Sequence, residues 1–268
     1  MTYNSLGISH EASSRNVNLT GFKNSSWIEN PPWISGIVAA AGRGTRMGGA
    51  LSKQRLELRG KAVLAHTLEK LCASGILSEC IVVVPQGEIE IYKNLSAGID
   101  TSCGCILRFT EGGADRNASV RLGLEALNEA CTCVLIHDGA RPFVPVECIV
   151  SVVKKALETG AAVVAVPVKD TIKIVGPEGV IESTPDRSRL YHIQTPQVFR
   201  RDWIEEAHKA ALAQGWESTD DSGLVERLGY SVHIVPGSYY NLKLTTPEDL
   251  VLANNLLEAV MKPSADTL

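Results

Sequence analysis

The sequence predicts a doubly wound α/β domain with a mostly parallel central sheet and a protruding β-hairpin arm. Three observations support this prediction. Short continuous apolar runs alternate with segments whose apolar residues recur at helical spacing, loops rich in glycine and charged residues follow several of the runs, and two β-like segments late in the chain flank a turn. Continuous apolar runs are typical of parallel strands that helices cover on both faces.

Five apolar runs are predicted to form the strands, each buried on both faces. In a doubly wound sheet, ligands bind beyond the carboxyl ends of the strands. The loops that follow residues 41, 109 and 137 should therefore lie along one edge and carry the functional site. The predicted strands are 34–41, 80–84, 105–109, 131–137 and 161–166.

Helices are predicted between these strands, because the intervening apolar residues fall on one helical face. The first stripe follows the loop after the first strand, and the second follows a polar cluster around Asp115. Both should pack against the sheet. The two stripes consist of Val63, Leu64, Thr67, Leu68, Leu71 and Cys72, and of Val120, Leu124 and Leu127.

The segment 170–200 breaks the alternation of strand and helix. Segments 171–175 and 180–184 flank the turn sequence at 176–179, which has glycine at both ends and proline between them. This pattern predicts a β-hairpin. A two-stranded arm is marginally stable alone in water, so we expect it to pack on the same arm of a second copy. The sequence therefore predicts a homodimer formed through 170–200.

The chain divides into three parts. Residues 1–32 are rich in asparagine and serine, lack periodicity and end at two prolines, so they are predicted to be a disordered leader. One main domain, which includes the arm at 170–200, is expected to span 33–262, and 263–268 to form a short tail.

Composition excludes several classes of protein. The 268 residues carry a net charge of −4, and the basic residues at issue are dispersed along the chain, which argues against nucleic-acid binding. No apolar stretch approaches the ~20 residues that span a bilayer, and the start of the chain lacks the pattern of a secretion signal. The seven cysteines are best interpreted as reduced thiols. We therefore expect a cytoplasmic protein without nucleic-acid or membrane partners.

The segment 37–48, followed by Lys53, joins a predicted strand to a loop of small residues with two fixed cations. Small residues let backbone N–H groups approach phosphate oxygens, while Arg46 and Lys53 supply positive charge. A dinucleotide fingerprint starting at Gly42 would need glycine where Met47 stands, and no lysine followed by serine or threonine occupies a P-loop position. The loop favours a triphosphate cradle; the alternative is a tight turn with surface basic residues.

Further loops, taken in order with this one, resemble the 2-C-methyl-D-erythritol 4-phosphate cytidylyltransferases from residue 34 to about residue 257. The closely similar ribitol-5-phosphate cytidylyltransferases share most of these motifs. The resemblance implies a Rossmann-like nucleotidyltransferase sheet. It rests on the loops 112–116 with Ser119, 137–142, 184–187, 194–197 and 241–250.

The resemblance also implies a reaction: transfer of CMP from CTP to a phosphorylated polyol with release of pyrophosphate, dependent on Mg²⁺, with Mn²⁺ as an alternative, in a homodimer. An alkyl phosphate has a second pKa of about 6 and is largely dianionic at neutral pH, so it can attack phosphorus without a general base. The barrier is repulsion between anions, which cations and positioning relieve. The arginine and lysine residues in these loops are suited to relieving that repulsion.

The family's roles carry over to matching positions of this sequence. Arg46 and Lys53 would stabilise the pentavalent α-phosphate and the departing pyrophosphate, while Arg187 and Lys243 would hold the polyol phosphate for attack. The predicted CTP contacts are Ala39, Ala40, Ala41, Gly42, Gly44, Gly113, Ser119 and Asp138. The predicted contacts to the polyol phosphate are Asp138, Arg141, Thr171, Arg187, Thr195 and Lys243.

Asp138 has two further interpretations. It is the candidate ligand for Mg²⁺, and alternatively an aspartate that only bonds its own turn, since glycine follows it. His137 is interpreted as a packing residue. Thr171, Thr195 and Arg187 lie within or beside the arm, and by resemblance such residues reach the site of the neighbouring subunit.

Three departures and three alternatives stay open. Serine at position 52 replaces a usual proline, the residues after the acidic pair in 219–223 differ from the pattern, and Ala114 stands where some members are acidic.

The alternative functions are a ribitol-5-phosphate cytidylyltransferase, a sugar-1-phosphate nucleotidyltransferase, and a CTP-binding regulator without turnover. Pyrophosphate release with each purified acceptor distinguishes them.

Overall fold

A seven-stranded sheet forms the centre of the computed structural model, which describes residues 32–42 and 52–261. Within these ranges two further pairs of short strands lie outside the main sheet. The strands, numbered along the chain, are β1 Ile34–Ala39, β2 Glu57–Leu58, β3 Lys61–Ala62, β4 Glu79–Val84, β5 Ile106–Glu111, β6 Cys133–Asp138, β7 Ala161–Pro167, β8 Ile174–Val175, β9 Ile181–Ser183, β10 Tyr191–Arg200 and β11 His233–Pro236.

The main sheet has the order β11-β7-β10-β6-β1-β4-β5. β10 runs antiparallel to both of its neighbours, whereas the other described pairings in this sheet are parallel. Because β1, β5 and β6 point in the same direction, the loops that follow them all leave the carboxyl end of the sheet. The strand order reverses next to β1, where ligands bind in doubly wound sheets. The predicted mostly parallel sheet is confirmed.

The helices lie on both faces of the sheet and complete the doubly wound arrangement. One core packs α1, α2 and α4 on one face of the sheet, and the other packs α3, α5 and α6 on the opposite face. The two predicted apolar stripes fall within α1 and around α3, as expected. The helices are α1 Val63–Ala73, α2 Ile89–Leu95, α3 Arg116–Glu125, α4 Val146–Thr159, α5 Arg201–Gln214, α6 Ser222–Arg227 and α7 Pro247–Met261.

Local sequence explains where these helices begin and end. The carboxylate of Asp115 caps α3 by accepting a hydrogen bond from the backbone N–H of Ala118 at 2.7 Å. α4 ends at Gly160, whose φ of +93° is costly for residues with a Cβ, and the Trp203 ring fills the space that a side chain would need. No described helix is both long and apolar enough to cross a membrane.

The strand predicted at 105–109 is not buried on both faces. β5 is the last strand in the sheet order, and its residues are exposed or half-buried; Ile106 keeps 54% of its surface accessible. An edge strand has a neighbour on one side only. The sequence could not reveal this, because position in the sheet depends on the whole topology.

The arm is shorter than the predicted range 170–200. β8 and β9 form the expected hairpin, but Tyr191–Arg200 is a strand of the central sheet, where Val198 and Phe199 are fully buried. The register of β10 against β7 shifts between Ile193 and Gln197, around a cis Thr195–Pro196 peptide. The arm therefore projects from β7 and returns directly into the sheet.

Two predicted segments lie outside the described residues, namely the leader up to residue 31 and the tail 263–268. The same holds for 43–51, which contain much of the first glycine-rich loop.

Candidate active site

A pocket of about 730 Å³ opens beyond the carboxyl ends of β1, β5 and β6. This is the edge at which the sequence places the site. Backbone and small side chains form one wall, and charged side chains from three loops form the other. The described residues that line it are Ala39, Ala41, Gly42, Gln54, Pro85, Gln86, Gly112, Gly113, Ala114, Asp115, Arg116, Ser119, Asp138, Ala140 and Lys243.

The wall of small residues depends on close backbone approach. A Cβ on Gly112 would collide with the Cβ of Ala41 and lie 2.8 Å from the Ser119 hydroxyl oxygen. The backbone N–H of Gly113 donates a hydrogen bond to that hydroxyl at 3.1 Å, and the hydroxyl donates to the carbonyl of Asp115 at 2.8 Å. Ala41 and the glycine pair therefore pack directly against each other, with the close approach that a phosphate or nucleoside cradle requires.

The charged wall centres on Asp138, the last residue of β6. Lys243 Nζ lies 2.8 Å and Arg141 Nε 3.4 Å from one carboxylate oxygen, and Arg116 Nε lies 3.6 Å from the other. Three cations from distant parts of the chain thus surround one buried carboxylate. The interpretation of Asp138 as a residue that only bonds its own turn does not account for these contacts.

Burial opposes ionisation of Asp138, but Lys243, Arg116 and Arg141 outweigh it and hold the pKa of this carboxyl well below its usual range. Asp138 is therefore a fixed anion at neutral pH. Burial lowers the pKa of the adjacent His137 to about 4, so this imidazole is neutral. The assignment of His137 to packing agrees with its full burial.

A frame of hydrogen bonds behind the pocket holds Asp138. Its backbone N–H donates to the Thr195 hydroxyl at 3.0 Å, and that hydroxyl lies 3.0 Å from His137 Nδ1. Arg141 Nη1 donates to the carbonyl of Asn241 at 2.8 Å, and Asn241 donates through its amide to the carbonyl of Thr195 at 2.9 Å. This frame ties the strand end to the loop that carries Lys243.

Arg116 was not predicted as a site residue, although it belongs to the quoted loop 112–116. Its Nη2 lies 2.7 Å from the carboxylate of Asp221, which is fully buried. Asp221 in turn lies 3.1 Å from His208 Nε2. The acidic pair within 219–223 could have indicated that these aspartates need a cationic partner. The sequence alone does not show that this partner is Arg116.

The structure brings many of the predicted residues together. Ala40 and Thr195 are buried and Arg141 is partly buried; these three are not among the residues that line the pocket. The predicted residues that line the pocket are Ala39, Ala41, Gly42, Gly113, Ser119, Asp138 and Lys243.

The remaining predicted residues are placed differently. Thr171 and Arg187 are exposed on the arm, where Arg187 donates a hydrogen bond to the carbonyl of Lys169 at 2.7 Å. They do not line the pocket of their own chain. Arg46, Gly44 and the side chain of Lys53 lie outside the described residues.

The donor set fits only one kind of metal site. Within the described ranges, no group of three or more His, Cys, Asp or Glu side chains is arranged to hold a metal ion. The described carboxylates that line the pocket are Asp115 and Asp138. Mg²⁺ commonly takes one or two protein carboxylates and completes its shell with phosphate oxygens and water. The pocket therefore fits Mg²⁺ that arrives with a triphosphate, but not a metal held by protein alone.

This arrangement suits the transfer of charged groups. Of the described residues that line the pocket, none is histidine or cysteine. The pocket instead offers donors from peptide groups, a lysine and an arginine, together with the carboxylates of Asp115 and Asp138. Such donors stabilise charge that builds up on phosphate oxygens without any change of their own protonation.

Comparison with known proteins connects this site to one family. The family model described as IspD, 2-C-methyl-D-erythritol 4-phosphate cytidylyltransferase, matches residues 34–259. A protein of that name from Alkaliphilus metalliredigens is 44% identical over 226 residues, which cover 84% of this chain and 92% of the relative. Another from Syntrophotalea carbinolica is 46% identical over 224 residues, covering 83% and 95%.

Solved structures of proteins from the same family have a similar fold. A crystal structure described as 4-diphosphocytidyl-2C-methyl-D-erythritol synthase from Anaerococcus prevotii superposes with a TM-score of 0.76 at 33% identity. It covers 85% of this chain and 99% of its own. A 2-C-methyl-D-erythritol 4-phosphate cytidylyltransferase from Thermus thermophilus gives a TM-score of 0.66 at 34% identity, covering 83% and 98%.

Proposed function

The chain belongs to the 2-C-methyl-D-erythritol 4-phosphate cytidylyltransferase family, and on that basis we propose that its pocket transfers CMP from CTP to 2-C-methyl-D-erythritol 4-phosphate. The products are 4-diphosphocytidyl-2-C-methyl-D-erythritol and pyrophosphate. This reaction is a step of isoprenoid biosynthesis by the non-mevalonate route. The observation that carries the proposal is the family match across 34–259, which includes the whole described pocket.

The reaction is a displacement at the α-phosphorus of CTP. An oxygen of the acceptor phosphate forms a bond to that phosphorus, the bond to the bridging oxygen of the β-phosphate breaks, and pyrophosphate leaves with the electron pair. No proton has to be removed, because the acceptor phosphate is already ionised at neutral pH. A pocket that offers Lys243 and Arg116, with no histidine among its described lining residues, suits this reaction.

We assign the polyol phosphate to the charged wall and CTP to the wall of small residues. Lys243 has three donor protons, so it can keep its hydrogen bond to Asp138 and still donate to an acceptor phosphate oxygen. The peptide groups near Gly42 and Gly113 would contact the nucleotide. Arg46 and Lys53 remain the proposed cations for the α-phosphate and pyrophosphate, on the ground of the sequence.

We further propose that Mg²⁺ accompanies CTP, with Asp138 as a candidate ligand and Mn²⁺ as an alternative metal. Bound there, the metal would neutralise charge on the triphosphate. The chain's own part is to hold the substrates between the two walls. We place the protein in the cytoplasm; the seven cysteines are free thiols, which accords with a reducing compartment.

The arm supports a proposed homodimer. The hairpin exposes apolar side chains that a monomer would leave in water: Ile174, Val175, Val180 and Ile181 are each at least half accessible. A contiguous exposed apolar surface of this kind marks an interface. In a dimer built through the arm, Arg187 and Thr171 would reach the pocket of the second copy.

Replacing both Val180 and Ile181 with aspartate is expected to give a monomer, because burying two carboxylates in an apolar interface is unfavourable. Light scattering coupled to size exclusion would measure the mass. A matched control is Leu212→Asp, since Leu212 lies on α5 outside the arm and is as exposed, at 64%, as Val180, at 63%. A double variant that stays dimeric, or a wild type that is monomeric at micromolar concentration, would contradict the proposed interface.

The function is tested by pyrophosphate release from CTP with one acceptor at a time. We expect release with 2-C-methyl-D-erythritol 4-phosphate, and none that depends on ribitol 5-phosphate. Release with ribitol 5-phosphate alone would make the chain a ribitol-5-phosphate cytidylyltransferase. CTP binding without release with either acceptor would favour a regulatory protein.

A further inference from the structure

A line of alternating charges leads from the pocket into the interior of the protein. It begins at Asp138 and passes through Arg116, at the start of α3, to Asp221, at the start of α6. Beyond Asp221 lies His208 on α5. The side chain of Asp221 is fully buried and that of His208 nearly so, whereas a quarter of the Arg116 side chain is accessible. The end of β6, the start of α3 and the start of α6 therefore meet at one guanidinium group.

The position of Asp221 is fixed by more than Arg116. The backbone N–H groups of Asp221 and Ser222 donate to the same side-chain oxygen of Gln197, at 3.2 and 3.0 Å. Gln197 belongs to β10 and is itself buried. The carboxylate of Asp221 is thus anchored to the sheet by its backbone and to α5 by His208. Desolvating a buried charge costs folding free energy that its ion pairs and hydrogen bonds offset only in part, so stability alone is a weak reason for this aspartate.

Arg116 lies unequally between its two carboxylates. Its Nη2 is 2.7 Å from Asp221, whereas its Nε is 3.6 Å from Asp138. Lys243, by contrast, is 2.8 Å from Asp138. Burial opposes the charge on Arg116, but Asp221 and Asp138 raise its pKa above the usual value, so it stays charged. Asp221 holds the guanidinium back, and Asp138 keeps Lys243 as its nearest cation.

We propose that Asp221 is a positioning residue that acts through Arg116 to keep Asp138 and Lys243 in register for the polyol phosphate. Without the Asp221 charge, Arg116, which faces the Asp138 oxygen that Lys243 does not contact, would move onto that oxygen and turn the carboxylate away from Lys243. Lys243 would then lose the contact that fixes its ammonium group at the acceptor phosphate. This inference rests on the proposed function, because it concerns the acceptor of that reaction.

The test compares steady-state kinetics of Asp221→Asn with those of the wild type. We expect the KM for 2-C-methyl-D-erythritol 4-phosphate to rise about tenfold, since misplacing a positioning group costs an order of magnitude or more. The KM for CTP should change by less than about threefold, because the small-residue wall is untouched. Loss of stability alone would lower the amount of active enzyme but would leave both KM values unchanged.

The chain offers a matched control in Glu79→Gln. Glu79 is a buried carboxylate, accepts hydrogen bonds from Ser35 and Asn128, and pairs with Arg108 at 3.1 Å. It is the first residue of β4, so it lies at the amino ends of the parallel strands, whereas the pocket lies beyond their carboxyl ends. Glu79→Gln should lower the unfolding temperature, as we also expect of Asp221→Asn, without altering either KM.

A second variant keeps the inference testable if Asp221→Asn does not fold. Arg116→Lys keeps the charge but lacks the planar fork that spans two carboxylates, so it should raise the acceptor KM by itself. Where both single variants fold, adding Asp221→Asn to Arg116→Lys should change that KM by less than about twofold, because both act on one contact.

Three outcomes would overturn the inference: an acceptor KM that is unchanged in both single variants, an equal rise in Glu79→Gln, or a full further rise when Asp221→Asn is added to Arg116→Lys. A wild type that releases no pyrophosphate with this acceptor contradicts the proposed function itself. An active wild type with unchanged variants contradicts only the role of Asp221.

Discussion

Replacing Lys243 with methionine is expected to lower kcat/KM for CMP transfer at least about a hundredfold, the effect typical of removing one preorganised donor from a charged transition state. Methionine keeps much of the aliphatic length but has no ammonium group to neutralise the incoming phosphate. Asp138 would still have Arg141 and Arg116 within 3.6 Å, so the carboxylate would not be left unpaired and the fold should persist. Initial rates of pyrophosphate release measure the change, and thermal unfolding measures stability.

Lys155→Met is the matched control for this change. Lys155 is 39% accessible at its side chain, against 37% for Lys243, and it also pairs with a carboxylate at 2.7 Å, that of Glu158. Its pair is on the surface of α4, away from the described pocket. Equal activity of Lys243→Met and Lys155→Met would remove Lys243 from the mechanism.

Asp138→Asn is expected to reduce both turnover and stability. The amide keeps the shape of the side chain but removes the negative charge on which Lys243, Arg141 and Arg116 converge. Removing one partner of a buried ion pair costs about 3 to 5 kcal/mol of folding free energy. Here the cost should lie at or below the lower end of that range, because the cations are partly accessible to solvent and Arg116 keeps Asp221 as a partner. Because the same cations would no longer be held in place, we also expect kcat/KM to fall about a hundredfold. Denaturant unfolding and steady-state kinetics measure the two effects.

The two effects can be separated with Glu79→Gln, which also neutralises a buried carboxylate paired with arginine. Both variants should unfold more readily than the wild type, but only Asp138→Asn should lose turnover per folded molecule. If kcat/KM of folded Asp138→Asn matched that of the wild type, Asp138 would have a purely structural role.

The parallel strands were predictable because each is an uninterrupted apolar run. β1, β4, β6 and β7 are buried on both faces, and such burial leaves a direct mark on the sequence. β10 was not recognised, since its middle contains Gln194, Thr195, Pro196 and Gln197, which resemble a loop. Gln194, Thr195 and Gln197 are buried because they hydrogen-bond to the segments 238–241 and 220–222 and to the backbone of Asp138. Polar residues therefore occupy buried strand positions and hide the strand pattern.

Residue types near the pocket were predictable, but their partners were not. Asp138, Lys243 and the glycine pair were identified from local motifs and the family resemblance, and the structure brings them together. The pairing of Arg116 with Asp221 spans 105 residues of sequence. No local pattern encodes such a contact, because it arises only when the second layer of helices packs on the sheet. The roles of Arg46, Lys53 and the arm residues remain predictions.

The wall of the pocket around Ala39, Gly42, Gly112 and Gly113 is made mainly of main-chain atoms, and the space that a side chain at position 112 would need is already filled. The preference for one base over another would then depend on the backbone conformation of these loops. Engineering an enzyme of this kind to accept a different nucleotide should therefore begin with insertions or deletions in these loops, because exchanging individual residues gives little to work with.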